Sequence, residues 1–245
     1  MYHFFVEPEQ VQESCIYVTG QDVNHIRNVL RMKPGEEVAI SDGRGRTYSC
    51  VIEDLQPEQV IAKIQNAEEE SSELNASITL FQGLPKGDKM EWIIQKCVEL
   101  GVTRIVPVKT RRTIVKLDDK KASTKVRRWN SISEGAAKQS GRGLVPEVSD
   151  VISFAEALEQ ANKMDVVLIP YEMARDMAKT REVLGNVRPG QSVGIFIGPE
   201  GGFDEVEVEQ AMAAGAAPIT LGRRILRTET AGMAVLAMLV LLLEE

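Results

Sequence analysis

The sequence predicts an α/β protein in two parts, a small N-terminal β-barrel and a larger C-terminal α/β domain built on a parallel sheet. Three observations predict it. Up to about residue 70, short apolar runs alternate with turn residues. An acidic stretch without periodicity follows, Glu68-Glu69-Glu70-Ser71-Ser72-Glu73. From Ile78 onward, strand-like and helix-like segments alternate, the pattern of a parallel sheet.

In the first part, Val38-Ala39-Ile40 reads as a strand and Ser41-Asp42-Gly43-Arg44-Gly45-Arg46 as a turn. Tyr48-Ser49-Cys50-Val51-Ile52 and Val60-Ile61-Ala62-Lys63-Ile64 are further strands. Asp22 to Met32 is the one helical stretch, with Asp22 as N-cap and Pro34-Gly35 as the stop. So short a β-rich piece closes naturally as a barrel. The acidic stretch reads as a linker, which sets the domains at residues 1–70 and 74–245.

In the second part, Ile78-Thr79-Leu80-Phe81 and Ile105-Val106-Pro107-Val108 are strands. Between them Asp88 to Leu100 is a helix, with Gly101 just past its end. Lys120 to Ser140 is a long basic helix. Val166-Val167-Leu168-Ile169 and Val193-Gly194-Ile195-Phe196-Ile197 are continuously apolar, as strands covered on both faces are. Asp204 to Ala214 is a helix, Ala217 to Leu221 a strand and Thr230 to Leu243 a helix.

The 245 residues carry a net charge of −7, which argues against a uniformly basic nucleic-acid binder. The average hides a basic block: Lys86 to Gly143 holds 15 Lys/Arg and 6 Asp/Glu. Such a block attracts a polyanion locally despite the overall sign. Three widely spaced cysteines, none at C-x-x-C spacing, support neither a disulfide framework nor a zinc knuckle. Two histidines and no H-E-x-x-H make a metal site and a Ser-His-Asp triad improbable. No basic segment followed by an apolar one opens the chain, and the longest nonpolar run, Ala231 to Leu243, is shorter than the ~20 residues that span a bilayer. A cytoplasmic, reduced protein without membrane contact is expected.

Five constellations carry chemistry. Gly198-Pro199-Glu200-Gly201-Gly202 lies between a buried strand and a helix, where loops at the carboxyl ends of parallel strands form a ligand crevice. It is neither a G-x-x-x-x-G-K-[ST] P-loop nor a G-x-G-x-x-G dinucleotide fingerprint. Leu221 through Ala231 joins the last strand to the last helix; Thr228 or Thr230 can cap that helix, and Arg227 and Glu229 bracket the cap. Arg223 there reads as an ordinary solvated residue. The basic helix ends in Gln139-Ser140-Gly141-Arg142; Lys120, Lys121 and Lys125 fit a solvated face, whereas Arg142 sits in a turn heading back toward the sheet. Lys86-Gly87-Asp88-Lys89 puts bases at a helix N-terminus, a misfit that an anionic ligand would relieve and that an ordinary exposed loop would also tolerate. In the small domain Arg27 and Arg31 stand four apart on a helix, and Arg44 and Arg46 lie in a turn.

These motifs, with His25-Ile26-Arg27-Asn28-Val29-Leu30-Arg31 and Arg128-Trp129, resemble in order the motifs of the bacterial 16S ribosomal RNA uridine-N3 methyltransferases, the RsmE-type family of the SPOUT superfamily. Gly-Pro-Glu-Gly-Gly is shared with related knotted methyltransferases; its combination with Ile225-Leu226-Arg227-Thr228-Glu229-Thr230-Ala231 is specific. Gly135 stands where Ala is expected, which would weaken the helix by ~1 kcal/mol.

The resemblance implies a PUA-like β-barrel that binds RNA, a C-terminal trefoil-knot SPOUT methyltransferase domain, and a homodimer formed through the knot domain. The surplus of Leu, Met and Val on Thr230 to Leu243 accords with a dimer interface. The implied cofactor is S-adenosylmethionine, held by Leu168, Ile169, Pro170 and Tyr171, by Gly198, Pro199, Glu200, Gly201 and Gly202, and by Leu221, Gly222, Ile225 and Leu226. The implied substrate is 16S ribosomal RNA within the small subunit, with Arg27, Arg31, Lys86, Lys89, Arg111 and Arg112 on its phosphates. Uridine N3 carries a proton that must leave. Arg142 is the expected electrostatic stabiliser, Glu229 the proton acceptor and Arg227 an assistant. A non-catalytic ribosome-assembly factor of the same fold, or a knotted enzyme acting on a ribose 2′-hydroxyl or another RNA, stands as the alternative.

Overall fold

The computed structural model describes residues 1–68, 72–115 and 117–244; residues 69–71 of the expected linker lie outside it. The chain divides into two compact units. Met1–Glu73 with Ala137–Val145 forms the first, and Leu74–Ala136 with Pro146–Glu245 the second. The segment 137–145, expected in the second domain, therefore belongs to the first.

The first unit is a five-stranded half-barrel of β1 (Tyr2–Phe5), β2 (Cys15–Thr19), β3 (Glu37–Ser41), β4 (Thr47–Leu55) and β5 (Gln59–Glu68), in the order β1-β3-β4-β5-β2. Side chains alternate across each strand, so Ile16 and Val18, Val38 and Ile40, Cys50 and Ile52, and Val60 and Ala62 meet in one core. The β3–β4 turn closes on Asp42, whose Oδ1 accepts from Arg44 N at 2.8 Å and Arg46 N at 3.1 Å. The expected helix differs from the observed one. α1 (Gln21–Asn24) starts from Gly20 rather than Asp22 and runs into a π-helical turn, His25–Val29. Arg31 lies beyond it with φ 55°, so Arg27 and Arg31 share no helical face.

The second unit is an all-parallel sheet of β6 (Ser77–Gly83), β7 (Arg104–Lys109), β8 (Glu147–Val148), β10 (Val166–Pro170), β11 (Ser192–Ile197) and β12 (Ala217–Ile219), with β9 (Ile152–Ser153) also on β7. Its order is β12-β10-β11-β6-β7-β8. The helices are α2 (Lys89–Glu99), α3 (Asp119–Ser140), α4 (Phe154–Ala161), α5 (Met177–Gly185), α6 (Glu205–Ala213) and α7 (Thr228–Leu243). The central strands β6 and β11 are buried on both faces, with Phe81 and Phe196 stacked at 4.6 Å. α4 and α5 are additions to the elements expected from sequence. α4 opens on a capping box in which Ser153 and Glu156 satisfy each other's backbone N–H groups. Because β10 lies between β11 and β12, the loops leaving these three strands are neighbours at one edge of the sheet.

Candidate active site

Those three loops wall a cleft of about 450 Å³ in the second unit. Pro170–Glu172 run on from the end of β10, Ile197–Phe203 from the end of β11, and Thr220–Arg227 follow β12; Thr228 and Glu229 of α7 complete the wall, with Lys89 and Arg112 at the side. The β11 loop turns back on itself so tightly that a Cβ on Gly198 would lie 2.8 Å from Gly202 C and 2.9 Å from Phe203 N. Gly202 holds φ +67°, a conformation that L side chains rarely adopt.

A buried chain of hydrogen bonds fastens this loop to α7. Gln82, fully buried at the end of β6, donates from Nε2 to Thr228 Oγ1 at 2.9 Å. Thr228 Oγ1 in turn donates to the Gly198 carbonyl at 2.6 Å. Thr228 is thus the first residue of α7 and a tie to the loop rather than its cap. The cap position is Arg227, whose side chain makes no capping bond.

The charged groups interlock. Glu200 Oε1 accepts from Lys89 Nζ at 2.8 Å and from the Lys86 backbone N–H at 3.0 Å. Partial burial opposes ionisation of Glu200, but the Lys89 ammonium and two backbone N–H groups outweigh it and hold the carboxyl below its ordinary 4.5. The misfit expected of two bases at the start of α2 is therefore relieved by the protein's own Glu200. Lys89 Nζ is also 4.0 Å from Glu229 Oε2, a buried oxygen with no hydrogen-bond partner among the described residues. Arg112 donates to the Gly201 carbonyl at 2.9 Å, and Arg111 and Arg112 approach Asp204 at 3.5 and 3.8 Å. Buried Glu207 joins that corner by accepting from the Arg111 backbone N–H at 2.8 Å.

Of the residues expected to hold a cofactor, Pro170, Tyr171, Gly198 to Gly202, Leu221, Gly222, Ile225 and Leu226 line the cleft. Leu168 and Ile169 do not: both are fully buried, too early on β10, and Ile169 packs in the aromatic core. Glu229, Arg227, Lys89 and Arg112 line the cleft. Arg223, read from sequence as an ordinary solvated residue, lines it too, as do Thr220 and Glu172. Arg142, the expected electrostatic stabiliser, belongs to the first unit. It is 3% exposed, and its Nε lies 3.1 Å from both Glu73 carboxylate oxygens, with Nη2 on Oε2 as well. Leu144 N donates to the same Glu73. Arg142 is thereby committed to pinning the 137–145 segment. Gln82 and Thr228 carry no sequence signal as a pair, because each is an ordinary polar residue until the fold brings them together. Among the described residues, no group of three or more His, Cys, Asp or Glu is placed to hold a metal ion, and no helix is long and apolar enough to cross a membrane.

A half-barrel and a parallel α/β unit, with a glycine-loop cleft at the carboxyl ends of the parallel strands, define a two-unit α/β protein with a strand-end ligand crevice. Residues 72–240 match the RNA methyltransferase domain and residues 18–65 the RNA methyltransferase PUA domain. The chain belongs to this RNA methyltransferase family. It is 38% identical over 237 residues to the ribosomal RNA small subunit methyltransferase E of Bacillus subtilis (strain 168), covering 94% of this chain and 93% of that one. The Neisseria gonorrhoeae ribosomal RNA small subunit methyltransferase E, solved bound to S-adenosyl methionine, superposes with a TM-score of 0.83 at 35% identity, covering 99% of this chain and 98% of that one. A Legionella pneumophila protein solved in complex with the same cofactor superposes with a TM-score of 0.85 at 31% identity, covering 98% of this chain and 97% of that one.

Proposed function

We propose that this S-adenosylmethionine-dependent methyltransferase modifies N3 of a uridine in 16S ribosomal RNA. The observation that carries the proposal is the cleft, walled by three strand-end loops and holding in Glu229 Oε2 a buried acceptor with no donor among the described residues. The residues present fit the cofactor. Pro199, Leu221, Ile225 and Leu226 offer apolar contact beside the exposed backbone of a glycine loop, and the carboxylates of Glu200 and Glu229 suit a cationic group. When bound, S-adenosylmethionine supplies a methyl group on a cationic sulfur for in-line displacement, a reaction governed largely by orientation.

The chain's own residues supply the rest. Glu229 accepts the N3 proton, and Lys89, 4.0 Å away, holds its carboxylate in place. Arg227, on the same cleft, opposes the charge that develops on the uracil carbonyls. Arg111 and Arg112, with side chains 58% and 45% exposed, meet RNA phosphates. The trefoil knot of the resembling family would be formed by these same loops. α7 buries Gly232, Val235, Leu236, Leu239 and Leu243 at helical spacing and leaves Leu241 82% and Leu242 50% exposed. That outer apolar face is the dimer contact of the proposal, in a cytoplasmic enzyme that acts on the small ribosomal subunit.

The test is methyl transfer from labelled S-adenosylmethionine to small subunits lacking the modification, with the product nucleoside identified by mass spectrometry. The expected product is 3-methyluridine. A ribose-methylated nucleotide would shift the reading to the 2′-hydroxyl, and RNA binding without transfer would make the chain a binding factor.

A further inference from the structure

The first unit contains a second cavity, of about 370 Å³, that methyl transfer leaves unused. It lies within the segment matched to the PUA domain. Its wall is local in origin. α1 runs into the π-helical turn His25–Val29, and Asn24, Arg27 and Asn28 line the cavity from these two elements. Single π turns concentrate at functional sites. Two residues past this one, Arg31 is held at φ 55°, the sole non-glycine residue with positive φ among the described residues.

The polar groups are of mixed sign and are only partly spent on one another. Asn28 Nδ2 donates to Asn24 Oδ1 at 2.7 Å. That leaves Asn24 Nδ2 as a donor and Asn28 Oδ1 as an acceptor without partners among the described residues. Arg27 is half-buried and forms no ion pair among those residues, although Glu58 lines the same cavity. Val23, 4% exposed, and Pro57 add apolar surface.

A phosphate asks for donors alone, and Glu58 would repel it. A nucleobase presents a flat apolar face and an edge of both donors and acceptors, which amides, a guanidinium fork and a carboxylate can read. The base must be unpaired, because side chains reach base edges in loops and single strands rather than inside an A-form helix. A cavity near 370 Å³ also falls in the range of about 300–1,000 Å³ usual for small-ligand sites.

We propose that this cavity takes one unpaired nucleobase of the substrate RNA, other than the base that is methylated, and gives the first unit sequence preference. The inference rests on RNA being the substrate. It also changes the role expected of Arg27 from phosphate contact to base reading.

The test uses the intact chain, Arg27→Lys and Asn28→Ala, titrated with labelled single-stranded decamers of A, C, U and a GU repeat at several salt concentrations. Wild type should prefer one sequence about fivefold or more. Both variants should lose the preference. Arg27→Lys should keep the salt slope, since its charge is retained and only the fork is lost. A wild type without preference, binding or not, overturns the proposal, and so does an Arg27→Lys protein that binds every decamer as wild type does. Calorimetric titration with S-adenosylmethionine accompanies each protein. A wild-type circular dichroism spectrum and melt show that a variant, its first unit included, is folded, whereas a wild type that fails to bind the cofactor refutes the methyltransferase reading instead.

Discussion

Gly198→Ala is the sharpest probe of the cleft. The added Cβ would lie 2.8 Å from Gly202 C, 2.9 Å from Gly202 Cα and 2.9 Å from Phe203 N. All three are backbone atoms, so no side-chain tip can swing aside, and the β11 loop itself must open. Overpacking of this kind costs about 1–3 kcal/mol. If the loop relieves the strain by leaving its present form, cofactor binding must restore it, which weakens affinity about 5- to 150-fold. If the strain stays in the loop, it appears as a fall in Tm of roughly 2–4 °C per kcal/mol for a chain of this size. Gly201→Ala is the control. There a Cβ meets Arg112 Cβ and Cδ at 3.6 Å, ordinary contact, so the large effect is expected at Gly198 and not at Gly201. Calorimetry with S-adenosylmethionine reads the first outcome and thermal unfolding the second. A Gly198→Ala protein with both wild-type affinity and wild-type Tm would refute the close-packed loop.

Glu229→Gln removes the proposed proton acceptor without changing side-chain length, so single-turnover methylation at saturating cofactor should fall by about 10²-fold or more; turnover within a few fold of wild type would remove Glu229 from the chemistry. Thr228→Val keeps the shape but takes one of two acceptors from the buried Gln82 amide, which retains the Gly83 carbonyl at 2.9 Å, and takes the Thr228 donor from the Gly198 carbonyl, a loss of about 1–3 kcal/mol to be read in denaturant midpoints. Arg142→Ala strands Glu73 in a largely buried site and should destabilise by about 3 kcal/mol, with the folded fraction retaining its methylation rate. Glu200 titrates below its ordinary 4.5, so its contribution is whole above that pH and is lost as pH falls through the lowered value; acid melts of Glu200→Gln should show a weaker stability loss in that window than wild type.

The parts of this protein that are legible in its sequence are those decided within a few residues. Period-two alternation sets β3, β4 and β5, because a half-buried strand must show one apolar face. Continuous apolar runs mark β10 and β11, because a strand covered on both faces has no polar side. The glycine loop of the cleft is legible too, since only glycine fits where backbone meets backbone. The helix of the first unit is shorter than its sequence suggests, as ordinary α-helical spacing conceals both the π turn at His25–Val29 and the left-handed Arg31. α5, which buries Thr180 and Leu184, is not among the elements expected from sequence.

What only the tertiary structure decided are pairings across long stretches of chain. Gln82 meets Thr228 from 146 residues away, Lys89 meets Glu200 from 111, and Arg142 meets Glu73 from 69. A hydrogen bond or ion pair acts over a few ångströms of space and leaves no period in the sequence. By sequence alone, the exit of the turn at Arg142 can therefore reach the sheet as easily as the first unit. Insertion of β10 between β11 and β12 gathers three distant loops into one cleft, and the carboxylate of Glu73 ties Arg142 to the first unit.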